Sequence, residues 1–295
     1  MKNIKNTILG VILLGCSALF SQQEGVVTNY MYHMNAFNPA YVGVDGETVI
    51  TSTFRQQWTG IEDAPSAQLV SFGTTLGNNL GMGVSILNRQ TFVEKQTFTA
   101  IDFSYRLKIS EKADLYMGLK AGGNFYSVNT EGLMTYNQMA DPNISSISNF
   151  NPNIGIGALL KVDKWHFSLA APRMLSTDRA DNEDGLVTLA KARPHMYAVV
   201  GYDFLLNQLN KISLKPSALL RYVNGAPVSL DINTMLSFDN DFEIGATYRT
   251  DSAFAGLINF SIKKRLLLGY AYEVSTRKQL ADIGNTNELL LRFKF

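Results

Sequence analysis

Along most of this chain apolar and polar residues alternate one by one. Leu115, Met117, Leu119, Ala121 and Phe125 fall on one side; Asp114, Tyr116, Gly118, Lys120, Gly122 and Asn124 fall on the other. Successive side chains of a strand point to opposite faces, so this spacing predicts a β-strand with one oily and one polar face. Ile101, Phe103, Tyr105 and Leu107 likewise oppose Asp102, Ser104 and Arg106, and Phe242, Ile244, Ala246 and Tyr248 oppose Glu243, Gly245, Thr247 and Arg249. Fourteen such segments centre near Ile50, Val70, Val84, Phe103, Leu119, Ile156, Phe167, Ala198, Ala218, Ile232, Ile244, Ile258, Leu268 and Leu291. No helical period of comparable length competes.

The connections separate two all-β architectures. Numbered from the first strand, the even ones are short: Gly77-Asn78-Asn79, Ser110 to Ala113, Asp163, Leu206 to Asn210, Asp239-Asn240 and Lys263-Lys264-Arg265. The long ones are all odd: Gln56 to Ala67, Ser127 to Asn151, Pro172 to Arg193 and Glu273 to Thr286. A soluble sandwich has no reason to sort its loops by parity. An outer-membrane barrel does, with short periplasmic turns, long outer loops and an even strand count. Leu289, Leu291, Phe293 and Phe295 alternate with Glu288, Arg292 and Lys294, so the final strand ends on an aromatic. Phe72, Tyr105, Tyr126, Trp165, Tyr202, Tyr222, Phe238, Tyr248 and Tyr272 lie near inferred strand ends, where interfacial girdles are expected. The fold class is therefore all-β, a transmembrane antiparallel β-barrel of about fourteen strands.

Composition agrees. Hydrophobic residues make up 46% of the chain, yet past the first residues no apolar run approaches the ~18 residues of a spanning helix. At the N-terminus, Lys2 and Lys5 precede an apolar stretch from Ile8 to Phe20, the layout of a secretory signal peptide. Cleavage is expected after Ser21. A rival reading takes Leu13-Leu14-Gly15-Cys16 as a lipoprotein signal, with Leu14 a poor fit. The expected organisation is a signal peptide over 1–21, an N-terminal plug or periplasmic segment over 22–46 and a barrel over 47–295. Loss of Lys2 and Lys5 takes the 26 basic groups to 24 against 25 acids, which excludes the basic excess of a nucleic-acid binder.

Enzyme chemistry finds no support. His33, His166 and His195 lie far apart, without Cys or carboxylates at metal-ligand spacing. Asp178, Asp181, Glu183 and Asp184 lack the regular oxygen spacing of a calcium loop and read as solvated charge. Gly155 and Gly157 alternate along a strand and make room on its inner face. No catalytic residue, cofactor or metal is expected.

The most distinctive residues are N-terminal. Asn38-Pro39-Ala40-Tyr41, followed by Gly43, precedes the first strand; Arg55-Gln56-Gln57-Trp58 and then Pro65 follow it. In order and spacing these blocks resemble those of the PorP/SprF family of Bacteroidetes outer-membrane proteins, linked to type IX secretion and gliding, and the resemblance spans the mature chain. It implies a barrel in the cell outer membrane that helps to secrete or surface-anchor large cargo such as adhesins. The implied partners are outer-membrane lipid, the C-terminal domain of type IX cargo and periplasmic secretion or gliding components. Tyr30, Tyr32, Phe37 and Tyr41 suit a segment folded into the barrel or packed under its mouth, with Arg55 and Trp58 pinning the first outer loop. A purely structural role for the motif residues stands beside partner binding. The alternative function is a channel for hydrophobic or small solutes, since fatty-acid channels also combine fourteen strands, a plug and an Asn-Pro-Ala block. Charged inner faces bearing Asp102, Arg106, Lys120, Lys215, Arg221, Asp231, Glu243 and Arg249 suit either.

Overall fold

A computed structural model describes residues 27–129, 147–175, 177–178, 191–250, 253–277 and 284–295. The expected signal peptide, Cys16, most of the acidic cluster and the middles of three long outer loops lie outside these residues. Fourteen antiparallel strands close into a barrel. They are β1 (Val49–Gln56), β2 (Ser66–Thr75), β3 (Leu80–Thr91), β4 (Glu94–Lys108), β5 (Ala113–Val128), β6 (Ile147–Val162) and β7 (Trp165–Arg173). The second half comprises β8 (His195–Tyr202), β9 (Ile212–Val223), β10 (Ser229–Phe238), β11 (Phe242–Arg249), β12 (Ala253–Ile262), β13 (Leu266–Ser275) and β14 (Thr286–Lys294). Each of the fourteen expected centres falls in a separate strand. One further piece, Phe204–Asn207, continues from β8 along β9, and Thr177–Asp178 pairs with Lys191–Ala192 apart from the barrel.

Each strand pairs with its sequence neighbour, and β1 with β14 from Val49↔Lys294 to Gln56↔Asn287. That last pairing closes the ring and removes the free edges that would template association. Alternation then sorts the side chains. Ile101, Phe103, Tyr105 and Leu107 of β4 are exposed on the outside, while Asp102 and Ser104 between them are buried inside. This arrangement, oily outside and polar inside, is stable only if the outer solvent is lipid. Trp165, Tyr202 and Phe204 form one ring cluster at the short-turn end, and Phe238, Phe242 and Phe260 another. Tyr126 departs from the expected girdle: it shares the inward parity of Tyr116, Gly118 and Lys120.

Two features go beyond the alternation. Strands β3 to β6 run to 12, 15, 16 and 16 residues, longer than the expected ten or so, and all extend at the long-loop end. The added rows of β3 and β4, Asn88↔Thr97 to Thr91↔Glu94, are polar on both faces, while the exposed Phe125 and Phe150 rings of β5 and β6 stand level with the first of them. Leu69, Leu159, Tyr197, Val199, Leu219, Met235, Leu257 and Leu290 break the rule in the other direction: they are apolar yet buried on the inward side. Such residues need an apolar partner within the ring.

Candidate functional site

That partner is the chain's own N-terminal segment. Residues 27–46 run through the ring as short turns: a 3₁₀ turn over Tyr30–Tyr32, an α-helical turn over Met34–Phe37 and a second 3₁₀ turn over Pro39–Tyr41. Val27, Tyr30, Met34 and Phe37 pack with inward Leu69, Tyr197, Val199 and Leu219, and the Phe37 and Tyr197 rings lie 5.7 Å apart. Met31 packs against Met235, Leu257 and Ala271 across the barrel. The segment thus touches opposite walls.

Polar contacts fix its course. The Glu288 carboxylate accepts from the backbone N–H of Thr28 at 2.7 Å and of Asn29 at 2.8 Å. Tyr30 Oη lies 2.9 Å from Ser217 Oγ, and Tyr32 donates to Glu243. His33 is fully buried, with Nδ1 3.1 Å from Ser71 Oγ and Nε2 2.7 Å from Thr53 Oγ1. Lys120, paired with Asp102 at 2.6 Å, donates to the Asn35 carbonyl at 3.2 Å. Because Glu288 and Arg55 stand near the long-loop ends of their strands and Val49 opens β1 at the other end, the segment descends the barrel between them.

The first motif block seats this segment. Asn38 caps the second 3₁₀ turn, accepting from the Ala40 N–H at 2.9 Å, and donates to the Ala158 and Leu169 carbonyls of β6 and β7 at 3.1 and 3.4 Å. Pro39 supplies the fixed φ of a first helical position at no cost in hydrogen bonds. Pro39 and Ala40 are buried, and Tyr41 packs beside Ala40, Tyr116 and Leu159. The wall is hollowed to receive them: a Cβ on Gly118 would stand 2.2 Å from Ala40 N, and one on Gly157 would stand 1.9 Å from Asn38 Oδ1. Gly43, at φ +72°, turns the chain out against Gly81 in a conformation that disfavours other residues.

The second block divides between inside and outside. Arg55 points inward and does not pin the first outer loop, contrary to the sequence expectation. Parity decides this, since Thr51, Thr53 and Arg55 share the buried face of β1. Its guanidinium meets Glu273 at 2.7 Å and Glu288 at 3.4 Å and donates to Thr28 Oγ1 at 2.9 Å. The charges continue through Arg249, 3.4 Å from Glu273 and 3.0 Å from Asp231, to Arg221, 3.1 Å from Asp231. Three arginines and three carboxylates thus alternate across the long-loop half of the lumen, each compensating the desolvation of its neighbours. Gln56 and Gln57 close the base of the first loop: Gln56 Nε2 donates to the Ala64 carbonyl at 3.4 Å and Gln57 N–H to the Pro65 carbonyl at 2.9 Å. Trp58, at φ +48°, turns the chain toward the last loop, where Thr59 N–H donates to the Asn285 carbonyl at 3.0 Å.

Glu273, Glu288, Thr53, Ser71 and the apolar inward residues were not singled out from the sequence. The apolar ones left a signal as interruptions of the polar face, which periodicity treats as noise; the polar ones are ordinary members of that face. His166 lies over Gly201 on the inner face and His195 beside Tyr197, well apart from His33. Among the described residues no three His, Cys, Asp or Glu side chains converge as metal ligands. Cavities of about 90 and 30 Å³ remain inside: one by Glu47, Val49 and Arg292 at the short-turn end, the other by Arg89, Phe98 and Arg173 toward the long loops.

Residues 19–293 match the family described as type IX secretion system membrane protein PorP/SprF. The fold is similar to that of the Acinetobacter baumannii outer membrane protein Omp33, at 9% identity and a TM-score of 0.52 over 84% of this chain and 98% of that one. A KdgM porin aligns at 11% identity and a TM-score of 0.42 over 84% and 99%, and the beta domain of the Bordetella autotransporter Brka at 13% and 0.36 over 85% and 100%. No curated protein matches the chain.

Proposed function

The chain belongs to the type IX secretion system membrane protein PorP/SprF family and forms a barrel of the outer membrane, and on that footing we propose that it assists the secretion or surface anchoring of large cargo, adhesins included, by protein–protein contact and without catalysis. The observation that carries this reading is the filled lumen. Residues 27–44 occupy it, and the first motif block together with Arg55 of the second serves to hold them there. A barrel committed to a fixed filling has its surfaces left to work with. Both ends of the barrel strand series lie at the short-turn end, which we take as periplasmic and open to secretion or gliding components. The long-loop end, with the tall β3–β6 sheet, faces outward and receives cargo. Loops on a rigid scaffold are the usual carriers of recognition.

The reading is tested in cells carrying a tagged copy. Surface adhesins are expected to co-purify with it, and deletion of the gene should release them from the cell surface. Unchanged cargo retention after deletion would sink it. In planar bilayers the purified barrel should show no steady conductance; a steady, solute-selective current would instead favour transport of small solutes.

A further inference from the structure

The short-turn end is not uniform. Most of its turns are polar at the tip: Gly77-Asn78-Asn79, Asp163-Lys164, Asp239-Asn240-Asp241 and Lys263-Lys264-Arg265. The connection over residues 203–211 differs. It reads Asp-Phe-Leu-Leu-Asn-Gln-Leu-Asn-Lys, and Phe204, Leu205, Leu206 and Leu209 are all exposed, Leu209 to 94%. It is also built, not loose. Phe204 pairs with Leu214 and Leu205 with Ser213, a bulge follows, and the tip is tied by the Asn210 N–H donating to Asn207 Oδ1 at 3.0 Å. A short apolar hairpin set among polar turns implies something apolar to meet it.

We propose that this hairpin is an interfacial anchor, seated in the phospholipid headgroup region of the leaflet at the short-turn end. Three observations select lipid as the occupant. Tyr202 and Phe204 share the outward parity of β8, so the hairpin extends the lipid-facing wall; Leu205, paired with Ser213, has the other parity, and the bulge follows it. Trp165 lies 4.6 Å from Tyr202, and Tyr202 lies 4.2 Å from Phe204, so the interfacial aromatic cluster runs directly into it. On the neighbouring strand, Ile212 pairs with Asn207 on one side and Phe238 on the other, which sets the far end of the hairpin's ladder level with the second aromatic cluster. Apolar side chains in such a setting embed ~5–10 Å into the headgroup and acyl boundary. Leu206 and Leu209 would then fix the height and tilt of the barrel on this side.

The inference rests on the short-turn end being periplasmic, and its test keeps the two apart. The full chain, with Cys16 replaced by serine, carries a single cysteine as Leu209→Cys or, for comparison, Asn78→Cys, labelled with an environment-sensitive fluorophore. It is reconstituted in vesicles of phosphatidylethanolamine and phosphatidylglycerol. The expected result is a blue-shifted emission at position 209, quenched by lipids nitroxide-labelled near the headgroup and protected from aqueous iodide, with the reverse at position 78. Iodide quenching at 209 equal to that at 78 would overturn the proposal. Protection at 209 in native outer membranes but not in these vesicles would overturn it too, and would put a protein in the lipid's place. Orientation is read separately: an impermeant thiol reagent on intact cells should miss position 78, and labelling there would reverse the assignment of sides without altering the depth result.

Discussion

At the scale of single residues, Arg55 ties the barrel wall to the internal segment. It is buried, pairs with Glu273 and Glu288, and bonds to Thr28 of the internal segment. Arg55→Met would leave two buried carboxylates short of a cation, and removal of one partner of a buried pair typically costs ~3–5 kcal/mol. Urea unfolding in lipid vesicles should report a loss of that order. Adding Glu273→Gln should cost less than the sum of the single changes, by ~0.5–3 kcal/mol, because the two share one interaction. Strict additivity would show that the ladder of charges does not couple. This role was only half legible in the sequence. The Arg-Gln-Gln-Trp block was visible, but its placement at the end of β1 suggested an outward-reaching arginine. Strand parity, with Thr51 and Thr53 on the same side, was the cue that turns it inward. Glu273 and Glu288 were hidden for another reason: they lie far away in sequence, and only closure of β14 on β1 brings them together.

At the scale of elements, the strands were legible because each has to present a continuous oily face to lipid, and the periodicity records that need directly. The internal segment was legible only as a length of aromatic-rich chain, since its turns are three or four residues long and too short for any period. Its seat is written in the wall instead, in Leu69, Leu159 and Leu219 where polar residues are expected, and in the close approach at Gly118. Gly118→Val tests that seat. Its Cβ would stand 2.2 Å from Ala40 N and 2.4 Å from the Pro39 carbonyl carbon, a backbone clash that cannot be relieved by a rotamer. Overpacking of this kind costs ~1–3 kcal/mol, enough to lift the Asn38–Tyr41 turn from its trench. The expected outcome is conductance in planar bilayers from a barrel that is otherwise closed. Gly256→Ala, whose added Cβ meets nothing within 4 Å, should leave the barrel closed and equally stable. If both variants stay silent, the seal does not depend on this contact.

At the scale of the whole molecule, the barrel divides into a filled, cross-braced cylinder and a sheet that rises above it. The cylinder is stabilised by ring closure, the apolar packing of residues 27–37 and the charges of the lumen. The rising part, β3 to β6 beyond the Asn88↔Thr97 row, adds backbone pairing but neither a lipid-facing stripe nor a contact to the internal segment's motif block. The two parts should therefore fail separately. Replacing Arg89–Gln96 by a two-residue Asn-Gly turn between Asn88 and Thr97 removes the tip of the β3–β4 hairpin and suits the twist of the flanking strands. The temperature at which the folded band converts to the unfolded one on a detergent gel should stay within a few degrees of the parent, as the deletion takes Arg89 from the wall of one small cavity but leaves ring closure, the lumen charges and the packing of residues 27–37 in place. Retention of cargo at the cell surface should fall sharply. A reversed pattern, with a softened barrel and cargo still held, would place the working surface elsewhere on the long-loop end and make the tall sheet part of the scaffold.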